Sequence, residues 1–216
     1  MNKMSTLDYQ PYYRRYLPHI QPKEAIFFIT YRLDFRFSKA LKRNLITAKI
    51  KFEDQIIKLT DKEKLRNEIE KFNKQQFDKI DTSLPFMTSQ FWLTSPEIAA
   101  IIEDSIQHRN NIQYTLYCYC IMPNHVHILI QPLLEKDDNP FALSKIMHGL
   151  KGYTSTKCNF VLNRTGSFWF PENYDHYVRN EQEFNNVIDY ILQNPVKAGL
   201  VQDWQYNWVA AECLEL

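Results

Sequence analysis

Two segments rich in β-branched and aromatic residues flank a single turn, and this pair constrains the fold more than any other feature. The first, IQYTLYCYCIM, spans residues 112–122, and the second, HVHILIQPL, spans residues 125–133. Pro123 and Asn124 between them favour a turn. The sequence therefore predicts an antiparallel β-hairpin here.

Strand and helix patterns alternate along the rest of the chain. Short apolar segments predict strands at residues 25–33 and 174–178. The stretch 38–80 lacks Gly and Pro and predicts two helices that break near Thr60 and Asp61. Three more helices are predicted after Ser95, from Pro140 and over residues 180–194, where the Asn194-Pro195 pair should end the last one. This order predicts an α+β fold, a small antiparallel sheet with helices on one face and a long helical insertion.

Length and composition exclude several classes of protein. The chain has 216 residues, of which 44% are hydrophobic, so it can form a core of one domain with a large insertion. No segment approaches the ~20 apolar residues that span a bilayer. The amino terminus shows no apolar stretch of a secretory signal, and four Cys do not make a disulfide scaffold. We therefore expect a reduced, cytoplasmic protein.

Charge is unevenly distributed along the chain. The net charge of +1 argues against a uniformly basic nucleic-acid-binding surface. Residues 39–80, however, carry twelve Lys and Arg against seven Asp and Glu. Attraction to a polyanion would depend on this segment or on small clusters such as Arg14 and Arg15. The alternative is a solvated helical surface, and charge alone favours that interpretation.

A histidine pair lies on the second strand of the hairpin. His125 and His127 flank Val126, and alternate residues of a strand point to one face, about 6.6 Å apart along it. Two imidazoles placed in this way can bind one divalent cation. Two structural histidines, or one ligand and one bystander, are the alternatives that the spacing leaves open.

A phenol and a carboxamide share one flank of the last predicted helix. Tyr190 lies beside the apolar stripe that residues 184–191 form, and Asn194 follows one turn later on the same side. A boundary Tyr over the edge of the core, with an ordinary Asn at the helix end, is the alternative.

Together these four side chains suit the cleavage of a phosphodiester. A Tyr hydroxyl has a reference pKa near 10 and is a poor nucleophile at neutral pH. A divalent cation, held by two imidazoles and an amide oxygen, would withdraw charge from the phosphate and orient it. Attack by the phenol would form a phosphotyrosine and release a 3′-hydroxyl, so the bond energy stays available for rejoining.

Several phrases of the chain occur together in one known family. The phrases YCIMPNHVHILIQP, LKGYT, FW followed by ENYDHYVRNEQEF, and VIDYILQNPVKAGLV resemble the REP-associated tyrosine transposases, which belong to the single-tyrosine HUH transposases. The resemblance covers about residues 112–203 and the strand near 25–33. The chain departs from the family at Phe170 and Pro171, where FWF-Pro replaces the more usual FWQ phrase, and in its long basic insertion. Both departures bear on the choice of DNA.

The resemblance implies a fold, an activity and a set of site residues. The fold would be a ferredoxin-like or RRM-like β-α-β-β-α-β core over about residues 20–38 and 112–203, within a single transposase domain. The insertion would span about 39–107, and the tail 204–216. The activity would be a Mg²⁺- or Mn²⁺-dependent endonuclease that cuts and rejoins single-stranded DNA near hairpins. By position, His125 and His127 match the metal pair, Tyr190 the nucleophile and Asn194 the third polar ligand.

Further residues are candidates for contact with DNA. Lys151 follows the hairpin on the next helix and could contact a phosphate, and Tyr153 could stack on an unpaired base. Arg14 and Arg15 lie in an aromatic and cationic segment of the kind that single-strand binders use. A solvated helix face and a tail packed on the domain are the respective alternatives.

Two other functions remain compatible with the sequence. One is a protein of the same fold that binds single-stranded or hairpin DNA without cutting it. The other is a metal-dependent hydrolase that uses water, with Tyr190 structural. The insertion could also form a homodimer, and a DNA-acting protein of this kind is expected to be associated with the nucleoid.

Overall fold

The computed structural model describes residues 7–14, 18–87, 90–200 and 206–213. Within these ranges the chain forms helices and strands that we number in chain order. The strands are β1 (Tyr12–Arg14), β2 (Pro18–Ile20), β3 (Phe27–Arg32), β4 (Tyr114–Ile121), β5 (His125–Pro132), β6 (Leu134–Lys136), β7 (Asn139–Pro140), β8 (Tyr174–Tyr177) and β9 (Asn207–Val209). The helices are α1 (Lys39–Ile56), α2 (Lys62–Asp81), α3 (Pro96–Gln107), α4 (Leu143–Val161) and α5 (Glu181–Lys197).

The chain divides into two compact units. One comprises Met1–Asp34 and Gln90–Leu216, and the other comprises Phe35–Ser89. The smaller unit contains α1 and α2, which pack through the stacked rings of Phe52 and Phe72, 4.1 Å apart between centroids. Ser38 caps α1, and Asp61 caps α2. The two predicted helices of the insertion are therefore confirmed, with the break that their caps indicate.

The larger unit contains a five-stranded antiparallel sheet in the order β8-β3-β5-β4-β9. Without the helices α1 and α2, the short strand pairs β1-β2 and β6-β7, and the carboxy-terminal elements α5 and β9, the chain runs β3-α3-β4-β5-α4-β8. This order is the β-α-β-β-α-β connection of ferredoxin-like folds. The predicted hairpin is β4 and β5, paired from Tyr114 opposite Pro132 to Ile121 opposite Val126. The α+β class, the antiparallel sheet and the ferredoxin-like arrangement are thereby confirmed.

The sheet has helices on both of its faces. The hydroxyl groups of Tyr114 and Tyr119 on β4 bond to residues of α3, which in turn contacts α4. We expected helices on one face, and α3 and α4, the two helices of the ferredoxin-like core, do share one. The additional helix α5 lies on the other face, where Tyr190 contacts Phe28 and His127. That face also carries apolar side chains, which a helix must cover.

A buried ion cluster fastens the amino-terminal hairpin β1-β2 to the segment around β8. His19 on β2 contacts the carboxylate of Asp175 through Nδ1, and its Nε2 lies 2.7 Å from Oε1 of Glu172. All three side chains are buried. Asp175 is the β8 residue opposite Ile29 of β3, so the two side chains lie on one face of the sheet. The next residue of β3, Thr30, points to the other face, where it bonds to His127. The ion cluster and the histidine pair therefore lie on opposite faces.

Three local features differ from the sequence prediction. The segment Asn139–Pro140 is a short strand, and α4 begins only at Leu143. Helix α5 continues past Pro195 to Lys197, because a Pro in the last turn removes only one backbone hydrogen bond. The hairpin β1-β2 and strand β9 had no periodic pattern, since strands of three residues are too short to show one.

Two observations concern the expected class of protein. In the described part of the chain, no helix combines the length and apolarity that a membrane crossing requires. Cys118, Cys120 and Cys158 are buried free thiols, and Cys213 is free as well.

Candidate active site

Two imidazoles meet on the face of the sheet that α5 covers. His125 and His127 alternate along β5, opposite Arg32 and Thr30 of β3, and are 1% and 0% exposed. Their Nε2 atoms lie 3.1 Å apart. The predicted convergence of the two rings on one point is therefore present in the structure.

The second nitrogen of each ring is held by an oxygen atom. Nδ1 of His125 lies 2.7 Å from Oδ1 of Asn124, and Nδ1 of His127 lies 2.7 Å from the hydroxyl of Thr30. An amide oxygen can only accept, so Nδ1 of His125 must donate, and the same tautomer is available to His127. With Nδ1 donating, Nε2 is the nitrogen of each ring that can offer a lone pair to a metal ion.

Burial keeps His127 in the form that binds metals. Desolvation lowers the pKa of His127 from 6.5 to about 3, because the ring is fully enclosed and a charged imidazolium would lose its hydration. The ring is therefore neutral at physiological pH.

Tyr190 of α5 packs against the same histidine. The ring centroids of Tyr190 and His127 are 5.7 Å apart, with the planes at 74°. Phe28 of β3 joins the two, since it stacks on His127 at 5.6 Å and meets Tyr190 edge-on at 5.7 Å. The half-buried position of Tyr190 beside the apolar stripe of α5 places its phenol at the border of the histidine pair.

Two more residues of α5 lie near this phenol. Lys197 places its ammonium 5.3 Å from the centroid of the Tyr190 ring. Asn194 is buried, and its amide nitrogen donates to the carbonyl of Tyr190 at 3.0 Å. This bond uses the nitrogen of the carboxamide and leaves its oxygen for another role, so the assignment of Asn194 as a ligand stays a prediction.

The residues predicted to contact DNA have different surroundings. The ammonium of Lys151 donates to the carbonyls of Phe170, Pro171 and Glu172 at 3.1–3.2 Å, so it supports a loop. Tyr153 is 48% exposed on α4. Arg14 ends β1, and neither its side chain nor Arg15 is among the described residues. Contact with DNA stays a prediction for all four.

Sequence reasoning did not identify four residues that shape this site. They are Asn124, Thr30, Phe28 and Lys197. Asn124 follows Pro123 in the turn and directly precedes His125, so its contact with this histidine was the easiest of the four to predict from the sequence. Lys197 lies two turns after Tyr190 on the same flank of α5, but we expected the helix to end at Pro195 and therefore did not place Lys197 on it. Thr30 and Phe28 come from a strand about 100 positions earlier, and only the register of β3 with β5 brings them here.

The segment that contains the histidine pair and Tyr190 is similar to a known protein family. The family model described as "Transposase IS200 like" matches residues 87–194, which is half of the chain. The chain belongs to this family of transposases. The match ends at Asn194 and includes β4, β5, α4, β8 and Tyr190 on α5.

Two curated proteins similar to this chain are both described as REP-associated tyrosine transposases. A Haemophilus influenzae protein named as a REP-associated tyrosine transposase is 32% identical over 97 residues, which cover 41% of this chain and 54% of that protein. The REP-associated tyrosine transposase of Escherichia coli K12 is 27% identical over 105 residues, which cover 47% and 58%. The chain thus spans little more than half the length of these relatives.

A solved structure is also similar. It is a REP-associated tyrosine transposase bound to a REP hairpin, with 19% sequence identity and a TM-score of 0.48, and the match covers 90% of this chain and 80% of that one.

Proposed function

We propose that the protein is a metal-dependent single-stranded DNA endonuclease and strand transferase that forms a 5′-phosphotyrosine intermediate, acting near DNA hairpins. The observation that carries the proposal is the meeting of two Nε2 atoms, 3.1 Å apart, beside the ring of Tyr190. Membership of a transposase family supports it. The hairpin substrate rests on the sequence resemblance to REP-associated tyrosine transposases, and an enzyme acting on such DNA would work in the nucleoid.

The donor atoms fit a divalent cation. Two imidazole nitrogens bound to one ion at about 2.1 Å and at roughly a right angle would lie about 3.0 Å apart, close to the separation observed between the two Nε2 atoms. Thr30 and Asn124 supply the outer hydrogen bonds that fix both rings. His125 and His127 would hold the ion, with the oxygen of Asn194 as the proposed third protein ligand. Of Mg²⁺ and Mn²⁺, two nitrogen donors favour Mn²⁺, because Mg²⁺ prefers oxygen.

When bound, the cation would neutralise charge on the phosphate and orient it for in-line attack. Tyr190 would supply the nucleophile. As its oxygen forms a bond to phosphorus and loses its proton, the bond from phosphorus to the 3′-oxygen breaks, and the 3′-oxygen leaves as a hydroxyl after taking up a proton. Lys197 would offset negative charge on the phenolate. The reverse reaction would rejoin a 3′-hydroxyl to the same phosphate.

A covalent adduct is the direct test of this mechanism. The full chain is incubated with circular single-stranded phage DNA and Mn²⁺, and adducts that survive denaturing electrophoresis are counted. We expect an adduct with the wild-type chain, its loss with EDTA, and its loss with Tyr190→Phe although DNA binding is retained. Tyr117→Phe is the matched control, because Tyr117 also contacts α5, through Phe184, and should leave the adduct unchanged.

Other outcomes would select a different function. DNA binding with no adduct and no cleavage in Mn²⁺ would indicate the non-cleaving binding protein. A 5′-phosphate product without any adduct would indicate a hydrolase that uses water. Undiminished adduct with Tyr190→Phe would remove Tyr190 from its proposed role. Substrates with and without a hairpin test the hairpin preference, and light scattering of the full chain tests the predicted homodimer.

A further inference from the structure

A pocket of about 300 Å³ lies between α4 and the segment that leads into β8. One wall is a face of α4 that includes Ser144, His148 and Gly152, and the other wall includes Phe170 and Asn173. The volume is at the lower end of the range of about 300–1,000 Å³ that is usual for ligand pockets, so one nucleotide-sized group fits better than a larger ligand.

Two cations hold the aromatic wall of this pocket in place. The ammonium of Lys151 donates to three consecutive carbonyls, those of Phe170, Pro171 and Glu172. The guanidinium of Arg32 lies 3.8 Å from the centroid of the Phe170 ring. Both cations therefore contact the Phe170 residue, and Lys151, which lines the pocket, brings positive charge to it.

Gly152 leaves the helical wall open. A Gly inside a helix is less stable than Ala, and it usually needs a packing reason. At Gly152 there is none, since no heavy atom lies within 4 Å of the position that a Cβ would take. At Gly149, one turn earlier, the same Cβ would lie 3.5 Å from the guanidinium of Arg109. Gly152 is exposed and lines the pocket, so a side chain added there would enter open space.

The chemistry of the lining matches a planar heterocycle on an anionic chain. An aromatic ring offers a stacking surface, the Ser144 hydroxyl and the Asn173 amide can bond to polar edges, and the positive charge suits a phosphodiester. Arg32 connects the pocket to the active site, because it is the β3 residue opposite His125 of β5 and its guanidinium also contacts the ring of Phe170. Because α4 and the histidine pair lie on opposite faces of the sheet, a strand with its phosphate at the histidines would reach this pocket past Arg32 and Phe170.

We propose that this pocket receives one unpaired base of the single strand that the active site cuts. The inference rests on the proposed function, because it takes single-stranded DNA as the ligand. Lys151 and Arg32 are positioning residues in this proposal, which act on the base through the loop and the ring of Phe170.

The test separates binding of bases from binding of the phosphate backbone. Anisotropy titrations of the full chain in EDTA measure Kd for fluorescein-labelled dT20 and for a fully abasic strand of equal length. Stacking of one base contributes about 5- to 150-fold in affinity. The wild-type chain should therefore prefer dT20, and Gly152→Leu, which fills the pocket, should reduce that preference at least fivefold. Phe170→Ala removes the stacking surface and should act in the same direction.

Gly149→Ala is the matched control, with a substitution in the same helix at a site outside the pocket. It should keep the wild-type preference, and thermal melting should show Gly152→Leu at least as stable as the wild-type chain. An unchanged preference in both pocket variants, or no preference in the wild type, would overturn the assignment of the pocket alone. A wild-type chain that binds neither strand would instead contradict the proposed function.

Discussion

The ion cluster around His19 should make the free energy of unfolding depend on pH. Both ring nitrogens contact carboxylates, of Asp175 through Nδ1 and of Glu172 through Nε2. An ionised carboxylate only accepts hydrogen bonds, so both nitrogens must donate and the ring is an imidazolium. Burial alone would lower the pKa of His19, but the two carboxylates outweigh it and raise the pKa from 6.5 to about 9.

The direction of the effect follows from this raised pKa. The folded chain holds the proton more tightly than the unfolded chain does, so the stabilisation is fully present below pH 6.5 and is lost as the pH rises through 9. The shift corresponds to about 3 kcal/mol in total, of which about 2 kcal/mol should be lost between pH 6.5 and pH 8.5.

Urea unfolding of the wild-type chain and of His19→Gln, followed by circular dichroism at pH 6.5, 7.5 and 8.5, measures this loss. The variant should be less stable at pH 6.5 and should lack most of the pH dependence. The comparison also cancels the contribution of the buried thiols, which have raised pKa values in both proteins. Equal slopes in the two proteins would refute the reasoning, because the titrating group would then not be His19.

Two predictions concern the active site. Thr30→Val removes the hydroxyl that bonds to Nδ1 of His127 and should weaken Mn²⁺ binding about 10- to 100-fold in calorimetry, whereas Thr30→Ser should retain it. Equal affinity for both variants would show that the hydroxyl does not orient the ring. Lys197→Met should slow adduct formation with Mn²⁺ several-fold, whereas Lys197→Arg, which keeps the positive charge, should not. Quenched time courses measure the rate, and an unchanged rate in Lys197→Met would exclude a role for the Lys197 charge.

The larger elements could be predicted because their patterns are local. The hairpin β4-β5 has β-forming residues on both sides of Pro123 and Asn124, and α1 and α2 have N-caps and no Gly or Pro. Helix α5 begins where predicted, since the Asn180 side chain accepts from the backbone nitrogen of Glu183. The histidine pair and its shared face followed directly from the alternation of a strand.

The rest of the site depends on pairing between distant segments. Nothing in the sequence near Thr30 indicates that its hydroxyl meets His127, because one residue of slip between β3 and β5 would have turned it to the other face. The partners of His19 likewise lie more than 150 positions away. Lys197 was missed for a different reason: the local rule predicts a helix end before Pro195, but a Pro in the last turn removes only one backbone hydrogen bond and α5 continues to Lys197.

Phe28 sets the distance between two chemically active residues, although it has no reactive atom of its own. A single ring from β3 touches both the imidazole of His127 and the phenol of Tyr190, so the spacing of these two groups is determined by a side chain with no reactive atom. Shortening that ring would change where the phenol stands while every reactive group remains. The alignment of the reacting atoms is thus a property of the core, and ordinary substitutions in the core can tune it.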